Sequence, residues 1–286
     1  MAPPDGEAHL PGMSPHPLRH LRDHGGVAGK IVYGAAHHRL NGEAAKTAYY
    51  LFLSLFPLLL VAFAVTGLVG GHPVFDFLAR RLEQAAPADA ARYVERFIRD
   101  VTDSRRPGVL SLGVVLTLWT GTNIFVALMQ GLNRIWEVTE HRRWWRRRLV
   151  AFGTLGAALV LLVSGALAVL AGDWLRHALG LSRAWTVLRY PLAFLLLAFL
   201  MWLIYSVLPA RGQRGARTHL MTGAAAGTAL WFVATMGFDF YISHVKHTGR
   251  VYGLVGAGMV LLLWLYLTAY AILFGAETAA VLERER

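Results

Sequence analysis

The most constraining feature of the sequence lies near its end. Residues 251–276, VYGLVGAGMVLLLWLYLTAYAILFGA, run for 26 positions without a formal charge and are closed by Glu277. As a helix rising about 1.5 Å per residue, this run would extend roughly 39 Å, more than the roughly 30 Å of hydrocarbon in a bilayer. Five further charge-free stretches, 47–71, 107–133, 149–172, 190–210 and 218–238, are also long enough to cross. With 56% hydrophobic and only 16% charged residues, the chain lies on the apolar side of ordinary soluble domains. The expected fold class is therefore all-α: a polytopic integral membrane bundle with six transmembrane helices. The membrane domain is expected over 47–282, between a disordered, basic N-terminal segment, 1–46, and a short tail, 283–286.

The first 24 residues hold five of the eleven prolines and four of the twelve histidines, with little apolar periodicity to offset the entropy of ordering them. They lack the basic start and apolar run of a cleaved leader, so the first span is expected to direct insertion itself. His20 and His24 have helical spacing but no carboxylate or thiolate cluster beside them, and no metal site or cofactor is expected. The chain has no cysteine, which excludes disulfides and cysteine nucleophiles.

The net charge of +11 is accounted for by basic residues flanking the spans. Arg134, Arg142, Arg143, Arg146, Arg147 and Arg148 lie between the second and third spans, and Arg211, Arg214 and Arg217 between the fourth and fifth. By the positive-inside rule both termini are expected in the cytoplasm, although the seven arginines of the loop 72–106 lean the other way. Within that loop, Tyr93, Val94, Phe97, Ile98 and Val101 recur at helical spacing among charged residues. The pattern predicts an amphipathic helix over 89–102 that lies on the membrane or caps the bundle.

Polar groups inside the spans are concentrated. Tyr50 and Ser54 precede Pro57, which removes a backbone donor and frees a carbonyl near residue 53, either kinking the helix or lining a polar cavity. Asn123 heads a polar group in the second span, where interhelical hydrogen bonding and a transport pathway are both open readings. Asp239 and Arg250 sit at the edges of consecutive antiparallel spans and are expected to pair. Tyr252 opens the last span. Glu277 closes it and is expected to meet Lys46 or Arg134.

The run Trp144, Trp145, Arg146, Arg147, Arg148 combines interface-seeking rings with positive charge and is expected to anchor against anionic membrane lipids. Aromatic plus basic character is a weak nucleic-acid signal beside a bilayer, and no RNA partner is expected. The nearest approach to a hydrolytic cluster is His244 and His247 with Asp239, on the expected outer face. Gly67 with Gly71, Gly223 with Gly227 and Gly249 with Gly253 supply small-residue faces for packing within one chain or between copies of a homo-oligomer. No GxxxxGK[ST] loop occurs, which disfavours direct nucleotide-driven pumping.

Three ordered motifs, SLFPLLL at 54–60, GLNRIWEV at 131–138 followed by RRWWRRRL at 142–149, and VYGLVGAGMVLLLWLYLTAYAILFGAE at 251–277, give the chain a resemblance to the YihY/BrkB family of bacterial inner-membrane proteins. Some members of that family carry the label ribonuclease BN. The family commonly has an asparagine two places after the glutamate closing the last span, where this chain has Ala279. The resemblance implies six helical spans in a bacterial plasma membrane and suggests transport or export. The leading expectation is thus a non-enzymatic transporter or exporter of a small or lipidic solute. Its rivals are a structural, envelope-maintaining membrane protein and, more remotely, a membrane ribonuclease.

Overall fold

The computed structural model describes residues 26–69, 107–170, 185–210, 217–245 and 253–285. Seven helices account for nearly all of them: α1 (Gly26–His37), α2 (Leu40–Val69), α3 (Pro107–Ile135), α4 (Trp144–Leu170), α5 (Trp185–Val207), α6 (Arg217–Val245) and α7 (Gly253–Arg284). No strand occurs among the described residues. The segments Leu112–Ile135, Trp144–Gly165, Arg217–Ile242 and Gly258–Arg284 are long and apolar enough to cross a membrane, and Pro191–Val207 is a shorter apolar helix. Four of the six expected spans therefore meet that standard among the described residues. The amphipathic helix expected over 89–102 lies outside them, as do Arg250 and Tyr252.

The structure corrects the expected N-terminal boundary. Residues 26–37 form a helix rather than disordered chain, and α2 begins at Leu40, ahead of the charge-free run. Gly29 and Gly34 are both buried, and at Gly34 the missing side chain that makes α1 weak as an isolated helix lets its backbone come close to Glu277 of α7. Arg39, with φ at 52°, turns the chain between α1 and α2. Helix α2 runs through Pro57, the position expected to kink it or open a cavity.

Each helix from α2 to α7 packs against its neighbour in sequence, and α7 returns onto α2, so the six close a ring. Helix α7 also packs on α3, and α1 docks on α7 and α2. The buried core is gathered at one end of this ring, formed by the starts of α2, α4 and α6 and the ends of α3, α5 and α7. We call it the arginine-rich end, since Arg134 and residues 142–148 lie there. Every residue from Gly275 to Val281 of α7 is buried, whereas none from Gly258 to Trp264 is.

Lipid tails are as apolar as leucine, so close backbone packing rather than water exclusion must hold such helices together. Gly223 and Gly227 of α6 meet Gly275 of α7 in this way. A Cβ on Gly275 would lie 2.6 Å from the Gly223 carbonyl oxygen and 2.8 Å from the Gly227 Cα. This pair of glycines serves packing within the chain. Ala279 is fully buried against Gly223, where even a Cβ on the glycine would stand 2.6 Å from the Ala279 methyl. Tyr205 of α5, completely enclosed, donates its hydroxyl to the Ile272 carbonyl at 2.7 Å and ties α5 to the same crossing.

Candidate functional site

At the arginine-rich end α7 carries Glu277 into a space with no solvent exposure. Its Oε2 lies 2.7 Å from Nδ1 of His38, the residue that caps α1. Gly34, one turn earlier in α1, makes room for the carboxylate: a Cβ there would stand 2.8 Å from the Glu277 carboxyl carbon and closer still to Oε1. His38 is itself buried, and its Nε2 faces Oε1 of Glu137 at 3.6 Å. Arg284, two turns beyond Glu277, closes the group, with Nη1 at 3.9 Å from Glu277 Oε1 and Nη2 at 3.1 Å from Glu137 Oε1.

Local backbone chemistry sets Glu137 in place. Helix α3 ends in paired bonds, Glu137 N–H to the Arg134 carbonyl at 3.1 Å and Val138 N–H to the Asn133 carbonyl at 2.9 Å. This closure puts Glu137 in the left-handed region, φ 53°, where glycine is the usual occupant. A glutamate there accepts about 1 to 2 kcal/mol of backbone strain and in return presents a carboxylate to His38 and Arg284. Asn133, in the same turn, accepts from the Ala210 amide at 2.8 Å and donates to Glu140 at 3.0 Å, joining the end of α5 to the α3–α4 loop.

Glu277 was expected to meet Lys46 or Arg134; both instead serve Glu43, one turn into α2. Arg134 Nη1 lies 2.8 Å from Glu43 Oε1, and Lys46 pairs with the same carboxylate while donating to Gln130 at 3.1 Å. The reason is position: Arg134 and Lys46 lie on the facing sides of α2 and α3, whereas the approach to Glu277 is filled by α1. Arg134 and His38 nevertheless line one cavity of about 520 Å³, and His38 also borders a second of about 290 Å³ together with Lys30, Gly34 and Arg284. The arrangement joins a buried carboxylate to a buried imidazole beside two open cavities, and it latches α1 to α7.

The other sequence candidates are dispersed. Tyr50 packs edge-on to Tyr49 at 5.5 Å between ring centres, and Ser54 donates to the Leu51 carbonyl of its own helix at 2.7 Å. Thr117, Thr120 and Thr122 likewise bond carbonyls of α3 itself, so these hydroxyls do not bridge helices. Asn123 accepts from Arg148 Nη1 at 2.6 Å, and the same guanidinium lies 4.0 Å over the Trp119 ring. Arg148 is thus turned inward onto α3, unlike the rest of the run expected to face lipid. Asp239 is exposed within α6, which continues to Val245; its expected partner Arg250 lies outside the described residues. His38, Glu43, Glu137 and Arg284 were not anticipated. Among the described residues no three His, Asp or Glu side chains are grouped to hold a metal ion.

The profile of the family described as Virulence factor BrkB matches residues 31–286. The chain belongs to this family. It is 30% identical to a UPF0761 membrane protein of Aeromonas salmonicida over 93% of this chain and 92% of that protein. A second UPF0761 membrane protein, from Tolumonas auensis, is 28% identical over 86% of this chain and 82% of its own length. A Bacillus subtilis relative named ribonuclease-like protein YfkH is 29% identical over 87% of this chain and 92% of that protein. No solved structure matches. The family match begins inside α1 and takes in His38, Glu43, Glu137, Glu277 and Arg284. Together with the apolar helices, these relatives make the chain a bacterial membrane protein.

Proposed function

We propose that this BrkB-family protein is a transporter that moves an amphipathic or lipidic solute, with its arginine-rich end at the cytoplasmic face. The observation that carries the reading is the asymmetry of α7, enclosed on every side over Gly275–Val281 and without one buried residue from Gly258 to Trp264. Leu261, Leu262 and Leu263 are all exposed, and three successive side chains point around more than half of a helix. Tight packing of α7 at one end and loose packing at the other is what one state of an alternating-access cycle would require, and the apolar side chains exposed along α7 suit a solute with a hydrocarbon part. The Glu277–His38 latch lies in the tightly packed end, where its release would be part of opening.

The test is reconstitution into vesicles, following movement of a headgroup-labelled phospholipid and of a soluble amphipathic dye. Flux above that of empty vesicles, altered in Glu277→Gln, is expected. A folded, correctly inserted protein that moves neither would replace this reading with a scaffold. RNA cleavage that co-purifies stoichiometrically with the protein would bring forward the activity in the YfkH name. Because the chain has no cysteine, single cysteines at Thr139 and Arg183 report orientation cleanly, and labelling of both from outside the cell would overturn it.

A further inference from the structure

A separate cavity of about 770 Å³ opens at the arginine-rich end between α4 and α5. Its basic wall is His141, Arg142, Arg143 and Arg146, with the Trp145 ring beside them, and its other wall is Ser206 and Val207 at the end of α5 with Pro209 and Ala210 just beyond it. The cavity is built rather than incidental. Arg142 Nη2 donates to the Leu208 carbonyl at 2.9 Å, and Asn133 holds the Ala210 amide, so the two walls are fixed to each other. The nearby carboxylate of Glu140 is already engaged by Asn133 and by the Arg142 amide at 3.0 Å. Arg143 and Arg146 make no ion pair among the described residues; Arg146 only lies over the Trp145 ring at 5.2 Å.

What lies below this cavity identifies its occupant. Trp145, Leu149, Phe152, Gly156, Leu159 and Val163 follow one another at alternating steps of four and three, so they share one face of α4, and all are exposed. A Cβ on Gly156, or on Gly153 beside it, would meet nothing within 4 Å. A concave cationic pocket thus shares Trp145 with an exposed apolar stripe that runs on along α4, with a shallow gap in it at Gly156. A free anion would use only the pocket, and a nucleic acid would have no use for the stripe.

We propose that this cavity and stripe form a binding site for an anionic phospholipid, the phosphodiester held by Arg143 and Arg146 and one acyl chain lying along Leu149, Phe152 and Gly156. The site does not depend on the transport reading, since a scaffold could hold the same lipid.

The experiment is native mass spectrometry of the full chain in neutral detergent, titrated with phosphatidylglycerol and, separately, phosphatidylcholine. The first phosphatidylglycerol should bind more tightly than phosphatidylcholine. A basic side chain near an anionic lipid surface contributes about fivefold, so the double variant Arg143→Gln, Arg146→Gln should lose about 25-fold. Arg147→Gln, outside the cavity, is the control, and a loss from it equal to that of Arg143→Gln or Arg146→Gln alone would mean a diffuse field and overturn the site. Gly156→Leu should weaken a long-chain phosphatidylglycerol severalfold and leave a short-chain analogue unchanged; no effect on either would remove the acyl track. Displacement of the lipid by millimolar inorganic phosphate would make this a free-anion site, and displacement by a short RNA would make it a nucleic-acid site. Either result would overturn the proposal.

Discussion

Nδ1 of His38 lies 2.7 Å from Oε2 of Glu277, joining positions 239 residues apart in the chain. The pair fastens α1, which among the described helices lies outside the ring, to α7, which packs on α1, α2, α3 and α6. Both side chains are buried, so each depends on the other to offset its desolvation.

Removing one partner should therefore cost far more than an exposed ion pair would. His38→Ala is expected to lose roughly 3 to 5 kcal/mol of stability by stranding the Glu277 carboxylate, and Glu277→Gln to lose less because the amide keeps the shape and can still hydrogen-bond. The check is thermal unfolding in detergent across the full double-mutant cycle. Additive losses would mean that Arg284 or Glu137, rather than this pair, carries the coupling.

Gly34 gives an independent handle on the same latch, because a methyl there collides with the Glu277 carboxylate without removing a charge. Gly34→Ala should release α1 from α7, read as faster hydrogen exchange over residues 26–37. Gly42→Ala is the control: a Cβ at Gly42 meets nothing within 4 Å, so that change should be neutral or stabilise α2 by up to about 1 kcal/mol. Equal exchange in both variants would show that α1 is held elsewhere.

How much of this was legible in the sequence depended on the range of the signal. Charge-free length marked the positions of α2 to α7, since the cost of a charge in lipid is local to each span. Glu277 and Arg134 stood out for the same reason, as charges at the ends of apolar runs. Their partners did not, because α1 is short and glycine-rich and follows a proline- and histidine-rich stretch, so His38 had no periodic pattern around it. The polar group of α3 divided: Asn123 and Gln130 do hydrogen-bond to neighbouring helices, through Arg148 and Lys46, whereas its threonines satisfy themselves on carbonyls one turn back, as a hydroxyl in a helix can. Glu137 stood inside the GLNRIWEV motif, but nothing marked it as a partner of His38, because a glutamate in a left-handed turn looks like any loop glutamate until the turn is seen.

At the α6–α7 crossing, backbone touches backbone, and no flexible side chain can give way. Gly275→Ala should therefore destabilise the bundle by at least about 2 kcal/mol, and Gly223→Ala similarly, because the obstructing atoms are carbonyl oxygens. Gly237→Ala, farther along α6 with open space around it, should not. Melting temperatures of the three variants in one detergent decide the matter. A loss at Gly237 equal to that at Gly275 would mean that glycine flexibility, rather than close approach, is what α6 requires.

The Glu43 site predicts redundancy instead of coupling to one partner. Its carboxylate is buried, while Arg134 and Lys46 are each partly in solvent and reach it from opposite sides, one from α3 and one from α2 itself. Solvent screens either cation, so Arg134→Gln or Lys46→Gln alone should cost no more than about 1 kcal/mol, the remaining cation still neutralising Glu43. With both removed, an unpaired carboxylate is left in the α2–α3 interface, and the loss should rise to roughly 3 kcal/mol or more. The signature is a double variant that loses clearly more than the sum of the singles, and recovery of most of that loss when Glu43→Gln is added. If Glu43→Gln fails to rescue, the two cations act through Gln130 or the lipid surface, and Glu43 is a bystander.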